Sequence, residues 1–165
     1  MVVEKFMLNV VFAMVSEPQF PVVSEVVSPL TQGLELPPTT AGKAAYQSGV
    51  EFHGMADFDQ AIAAYQRAIA VDPNFVDPYI NLSLIYISMG QLDDAEALLQ
   101  TVLALPDHPE EPASIHALAH YNLGIIYNRQ GNPTQALTQV NQALAIAPNF
   151  DQAQTFYQQL QTAPE

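Results

Sequence analysis

The sequence predicts an all-α fold, a stack of antiparallel helix pairs closed by one further helix. Three observations carry this expectation. From about residue 41 the chain is alanine-rich with a helical apolar pattern. Within that stretch a unit of two helices recurs three times. Residues that start and stop helices punctuate each unit.

Composition bounds the answer first. The chain has 165 residues, of which 49% are hydrophobic, enough for one domain with a core of its own. Seventeen acidic residues face four basic ones, a net charge of −13. That charge repels phosphate backbones, so no nucleic acid is expected as a partner, and anionic membrane surfaces are disfavoured. It favours solubility and draws in basic partners. With no cysteine, the chain has no disulfide, thiolate metal site or cysteine nucleophile. Its 7 glycines assemble no phosphate-binding loop.

Residues 1–40 differ from the rest. An apolar run begins at Phe6 and ends at Val15 (FMLNVVFAMV), interrupted by Asn9. Its ten residues fall short of the roughly 20 that a membrane-spanning helix needs. Glu4 beside Lys5 and the lack of a small-x-small site make a poor signal peptide. Val3, Met7, Val10, Val11 and Met14 fall at helical spacing. The run is either an element packed on the first repeat, a membrane or targeting segment, or disordered. Residues 16–40 carry Pro18, Pro21, Pro29, Pro37 and Pro38, which bar helix interiors and favour extended backbone. Val22, Val23, Val26, Val27 and Leu30 make this linker apolar.

The repeat follows. Residues 44–75, 78–109 and 119–150 align, so that AYQSGVEF sits above YINLSLIY and HYNLGIIY. DFDQAIAAYQRAIAVDPNF likewise sits above NPTQALTQVNQALAIAPNF. The first two units are offset by 34 residues and the next two by 41, which places seven extra residues near 107–114. The units span about 42–75, 76–109 and 117–150, and a final helix spans 151–161. Asp57 with Gln60, and Asn132 with Gln135, are expected to cap the second helices as capping boxes. Pro133 occupies a first helical position, where its missing N–H costs nothing. Gly90 and Gly131, with Ala56 at the same place in the first unit, stand where the preceding helix must end in a left-handed residue. Asp72-Pro73-Asn74 and Ala147-Pro148-Asn149 stop the second helices.

These residues resemble the tetratricopeptide repeat family. The first unit carries Gly49, Phe52, Ala61, Tyr65, Ala68 and Pro73. The second carries Tyr79, Leu82, Ser83, Tyr86, Ala95, Leu99 and Val102, and the third Leu123, Gly124, Tyr127, Ala136, Val140, Ala143 and Pro148. Four positions depart from the family pattern: Ser48 for a leucine, Ala56 for glycine, Val102 for alanine and Asp107 for proline. The resemblance implies a right-handed superhelical array of three units plus a capping helix, whose polar face is Gln152, Gln158 and Gln159. It covers roughly residues 41–161.

The resemblance also implies where a partner binds. In this family the first helices of successive units line a concave groove that takes a segment of another protein. By position, the groove residues are Lys43, Tyr46, Gln47, Val50 and His53 in the first unit. The second supplies Asp77, Ile80, Asn81, Leu84 and Ile87, and the third Leu118, Tyr121, Asn122, Ile125, Asn128 and Arg129. The strip is apolar and aromatic, and Lys43 and Arg129 face it with Asp77 as its one acid. Ile80 and Leu84 are expected to face outward, so that aspartate there abolishes partner binding with little effect on stability. The acids then lie mainly outside the groove, as a solvated face or as a field for partners. The amides of Gln47, Asn81 and Asn122 share one place in the unit, where they grip a peptide backbone or bond within the array. Family members that hold chaperone C-termini use a cationic cluster. Here Tyr46, Val50, Leu118 and Asn122 stand beside Asn81 without a positive charge, so that ligand is not expected.

No constellation suggests catalysis, and no cofactor or metal is expected. His116 and His120 stand at i, i+4, but zinc needs at least a third ligand, and only His108, Glu110 and Glu111 are near in sequence. His120 is expected to fill a bulky helix position and His116 to sit at a helix start. Ser114 beside His116 lacks an orienting acid.

Two functions remain as expectations. One is a non-enzymatic, cytoplasmic interaction scaffold. The other is an assembly factor or structural subunit of a larger complex, docked on a membrane or a partner through residues 6–15 and the linker. Residues 22–30, tethered to the array, are expected to lie along Tyr46, Ile80, Leu84 and Tyr121 at roughly millimolar effective concentration. The oligomeric state is left open.

Overall fold

The computed structural model describes residues 39–107 and 113–162. The expectations for the apolar run, the linker and the groove-covering segment fall outside the described residues. So do His108, Glu110 and Glu111. The described residues form seven helices and no strand: α1 (Thr40–Gly54), α2 (Phe58–Val71), α3 (Asp77–Met89), α4 (Leu92–Ala104), α5 (Ile115–Arg129), α6 (Pro133–Ile146) and α7 (Asp151–Thr162). Each helix packs on the next, and α3 also touches α5.

Three turns of one design separate the two helices of each unit. Ala56, Gly90 and Gly131 are left-handed, at φ 59°, 77° and 78°. Each donates its N–H three residues back, to His53, Ile87 and Asn128. The following N–H groups, of Asp57, Gln91 and Asn132, reach five residues back to Phe52, Tyr86 and Tyr127 at 2.8–2.9 Å. This pair of bonds is the Schellman motif, which satisfies carbonyls the helix end would leave bare. Ala56 adopts the left-handed conformation at a cost of about 1 kcal/mol that glycine avoids.

The motif corrects the capping expectation. A capping box needs the N–H of the cap residue free for the side chain three residues on. The N–H groups of Asp57 and Asn132 already belong to the turn. Asp57 therefore accepts from the Gln60 N–H at 3.3 Å, while the Gln60 amide donates to the Asp57 carboxylate at 2.8 Å. Asn132 makes no side-chain cap bond at all.

Packing inside each unit pairs a small residue with a large one. A Cβ on Gly49 would lie 2.5 Å from the Tyr65 ring, and one on Gly124 2.6 Å from Val140 Cγ2. Ser83 and Leu99 occupy the corresponding positions in the second unit and are both buried, and the Ser83 hydroxyl donates to the Ile80 carbonyl at 2.7 Å. Ala61, Ala95 and Ala136 are wholly buried at the close approach. Val102, larger than its counterparts Ala68 and Ala143, is equally buried and joins the core between the second and third units. There α3 and α4 pack against Ile115, Ala119, Leu123 and Ile126 of α5.

The insertion before α5 is fastened at its near end. Asp107 Oδ1 accepts from the His116 N–H at 2.9 Å, and the His116 Nε2 lies 2.8 Å from the Leu105 carbonyl. Ser114 caps the same helix by accepting from the Ala117 N–H at 3.3 Å. Asp107, a departure from the family pattern, thus supplies an acceptor to an N–H group that α5 leaves unpaired, and its charge suits that end of the helix.

Candidate partner-binding face

The repeat register places the first helices side by side. Positions 46, 80 and 121 correspond, as do 47, 81 and 122, and 50, 84 and 125. Val50 and Leu84 are 44% and 39% exposed, a large fraction for aliphatic side chains in helix interiors. Tyr46, Asn81, Leu118, Tyr121 and Ile125 are half-buried, and Lys43, Gln47, Asn128 and Arg129 are exposed. His53 and Asp77 are half-buried at the margins of the same helices.

Three of the expected residues sit differently. Ile80 and Ile87 are only 8% and 6% exposed and belong to the core between the second and third units. Asn122 is 4% exposed. The outward direction of Ile80 holds within its own helix pair, but α5 packs against α3 and covers it. Aspartate at Ile80 would place a carboxylate in that core, so the expectation of little effect on stability is withdrawn for this residue.

Two aromatic steps support the face. Tyr46 meets Phe75 edge-on with ring centroids 5.1 Å apart, and Tyr121 meets Phe150 at the same 5.1 Å. Phe75 and Phe150 are 7% and 2% exposed, so they hold the tyrosine rings from below. Phe75 and Phe150 end the repeated PNF segments at 73–75 and 148–150, which also stop the second helices. Tyr46 also accepts a hydrogen bond from the Asn81 amide at 3.0 Å and lies 5.9 Å from the Tyr65 ring. One donor of Asn81 is thereby committed within the array. Burial pushes the Tyr65 and Tyr121 hydroxyls above their ordinary pKa, with Tyr46 adding to the effect at Tyr65. The Tyr65 hydroxyl lies 3.5 Å from His53 Nδ1.

The cations are few and one of them is engaged. Arg129 donates from Nη1 to the Ile87 carbonyl at 2.6 Å, tying the end of α5 to the end of α3. Lys43 is exposed near the start of α1. Exposed Asp59, Asp93 and Asp94 lie instead on the second helices. The two histidines of α5 bond to different partners. His120 Nδ1 lies 2.8 Å from Gln139 Oε1, and His116 reaches Leu105. Among the described residues no group of three histidine, aspartate or glutamate side chains is placed to hold a metal. No described helix is long and apolar enough to cross a membrane.

Comparison with known proteins agrees with this architecture. Family models described as tetratricopeptide repeat match residues 53–118 and 117–150. The chain is similar to the photosystem I assembly protein Ycf3 of Prochlorococcus marinus (strain MIT 9211), with 29% identity over 93 residues. That match covers 54% of this chain and 50% of the relative, so the chain spans about half of that protein's length. A crystal structure of MamA is 28% identical with a TM-score of 0.56, over 64% of this chain and 58% of that one. The first such domain of Spaghetti (RPAP3), bound to an HSP90 peptide, superposes with a TM-score of 0.64 at 15% identity, over 78% and 96%. With its three repeated units, their shared turns and these matches, the chain belongs to the tetratricopeptide repeat family.

Proposed function

We propose that this protein is a non-enzymatic scaffold that holds a segment of a partner protein across the outward face of α1, α3 and α5. The observation that carries the reading is the exposed pair Val50 and Leu84 at one repeat position, flanked by half-buried Tyr46, Tyr121 and Ile125. Aliphatic side chains aligned over successive units make a continuous strip that a partner would remove from water, at about 25 cal/mol per Å² buried. The two tyrosines add rigid aromatic surface, the kind of side chain that anchors interfaces. Exposed Gln47 and Asn128 offer donors and acceptors to a partner backbone.

A photo-crosslinking amino acid at Leu84 tests the reading in the full-length protein. A control carries the same group at Gln100, which is exposed on α4. Crosslinks to a partner from position 84 and none from position 100 support binding on the first helices. The reverse pattern moves the site to the second helices and overturns the proposal.

A second reading is favoured by the similarity to a protein described as a photosystem I assembly protein. On this reading the array is an assembly factor that holds a subunit of a larger complex while it is built. The two readings differ in how long the partner stays and in whether residues 6–15 and the linker take part in docking. Partner bound only during assembly, and absent from the finished complex, marks the second.

A further inference from the structure

A second exposed apolar surface lies along the turns of the first two units, where the first helices end and Phe58 meets His53 edge-on with ring centroids 5.8 Å apart. Met55 is 74% exposed and Met89, its counterpart 34 residues on, is 51% exposed. Phe58, 37% exposed, begins α2, and its counterpart Leu92, half-buried, begins α4. The two turns carry the same pair of backbone hydrogen bonds, so these side chains leave the backbone at the same points of two neighbouring units. In the third unit the same places hold Gln130 and Pro133, and the apolar edge ends there.

Acidic side chains border the edge. Asp59 follows Phe58, and Asp93 and Asp94 follow Leu92, all exposed in the first turns of α2 and α4. Carboxylates there are already favoured by the positive ends of the two helices. They also leave an apolar ridge inside a negative field, on a chain whose net charge is −13. A surface of this kind discriminates by charge as well as by burial. It repels an acidic or phosphorylated partner and accepts one that carries apolar and cationic side chains together. Methionine suits such a contact because its unbranched chain adapts to the shape laid on it.

We propose that the edge formed by Met55, Phe58, Met89 and Leu92 docks a basic amphipathic helix of a partner protein. This site adjoins the margin of the first-helix face at His53 and is tested apart from it by its own side chains. The apolar stripe of the partner would cover the two methionines and Phe58, while its lysine or arginine residues meet Asp59, Asp93 and Asp94.

The test uses the full-length protein and a fluorescent peptide of leucine and lysine, about 18 residues or five helical turns long, with one apolar and one cationic face. A scrambled peptide of the same composition is the control. The amphipathic peptide should bind the wild type more tightly than the scrambled one. Met55→Ser with Met89→Ser should weaken binding by about tenfold or more, because two thioether side chains no longer leave water. Asp59→Asn with Asp93→Asn should weaken binding and flatten its salt dependence. Val50→Ser with Leu84→Ser should leave it unchanged. Far-ultraviolet circular dichroism checks that each variant keeps its helix content. Equal binding of the scrambled peptide overturns the proposal. So does wild-type affinity in the methionine variant, or a loss confined to the Val50 and Leu84 variant.

Discussion

Among the described helices, α1 and α7 stand at opposite ends of the stack, and each keeps the face that has a described neighbour. The inner helices α3 and α5 carry two apolar faces. One, at Leu82 and Ile85 or at Leu123 and Ile126, is 3% exposed or less and packs toward the preceding unit. The other centres on Ser83 or Gly124 and takes the second helix of the same unit. In α1, which no described helix precedes, the first face becomes Ser48 and exposed Glu51, while Gly49 still packs on Tyr65. In α7 the reverse holds. Ala153 and Leu160 are 0% and 8% exposed, and exposed Gln158 stands at the small-residue place. A stacked array needs polar ends, because a cut surface of its core would otherwise meet water. Ser48, a departure from the family pattern, stands on the first described helix at the place where the later units carry Leu82 and Leu123.

The largest effect expected from this comparison is at the first face. Ile85→Ala and Ile126→Ala should each cost about 2–5 kcal/mol, since buried methylenes are lost and a cavity remains. Glu51→Ala, at the same place in the first unit, should stay within about 0.5 kcal/mol, as exposed substitutions do. Urea denaturation of the three variants checks the contrast, and equal losses would break it.

The next effect is at the small-residue place. Gly124→Leu should destabilise by about 1–3 kcal/mol or more, because Val140 already lies where a Cβ would go. Ala61→Leu and Ala136→Leu, at the fully buried close approach, should cost a similar amount of about 1–3 kcal/mol. Gln158→Leu, on the open face of α7, should be nearly neutral. Melting temperatures that fall for all four, or for none, would show that the ends are not distinguished in this way.

The smallest effect concerns pH. Tyr127 donates a hydrogen bond to Glu96 at 2.7 Å, and that bond, with burial and the carboxylate charge, pushes its pKa up to about 12. An unfolded tyrosine ionises near 10, so the unfolded chain loses this proton first as pH rises. The stabilisation is therefore complete below about pH 10 and is lost between about 10 and 12. Stability measured across that window should fall less steeply in Tyr127→Phe than in the wild type.

Much of this architecture was legible because the repeat is its own alignment. The three units and the left-handed turn residues follow from reading one unit above the next. The polar end of α1 was visible as Ser48 but looked like a flaw, since its meaning depends on having no described helix before it. Ile80 and Ile87 were misplaced for a related reason. A single helix pair leaves them outward, and only the next unit buries them. Asn132 failed as a cap because the turn had already used its N–H, a competition that residue preference does not show. Phe75 and Phe150 went unnoticed as supports of Tyr46 and Tyr121, since ring contacts between helices leave no pattern along the chain. The charge lent by Asp107 to the start of α5 joins residues across the insertion, where the repeat gives no register.

The most direct measurement is the thermal unfolding of residues 39–165 beside the full chain. If α1 is a finished end of the stack, the shorter protein should melt in one cooperative transition at the same temperature as the helical signal of the full chain. Loss of cooperativity, or a large fall in melting temperature, would mean that the face of Ser48 and Glu51 needs residues 1–38, and would contradict the reading of α1 as a polar end.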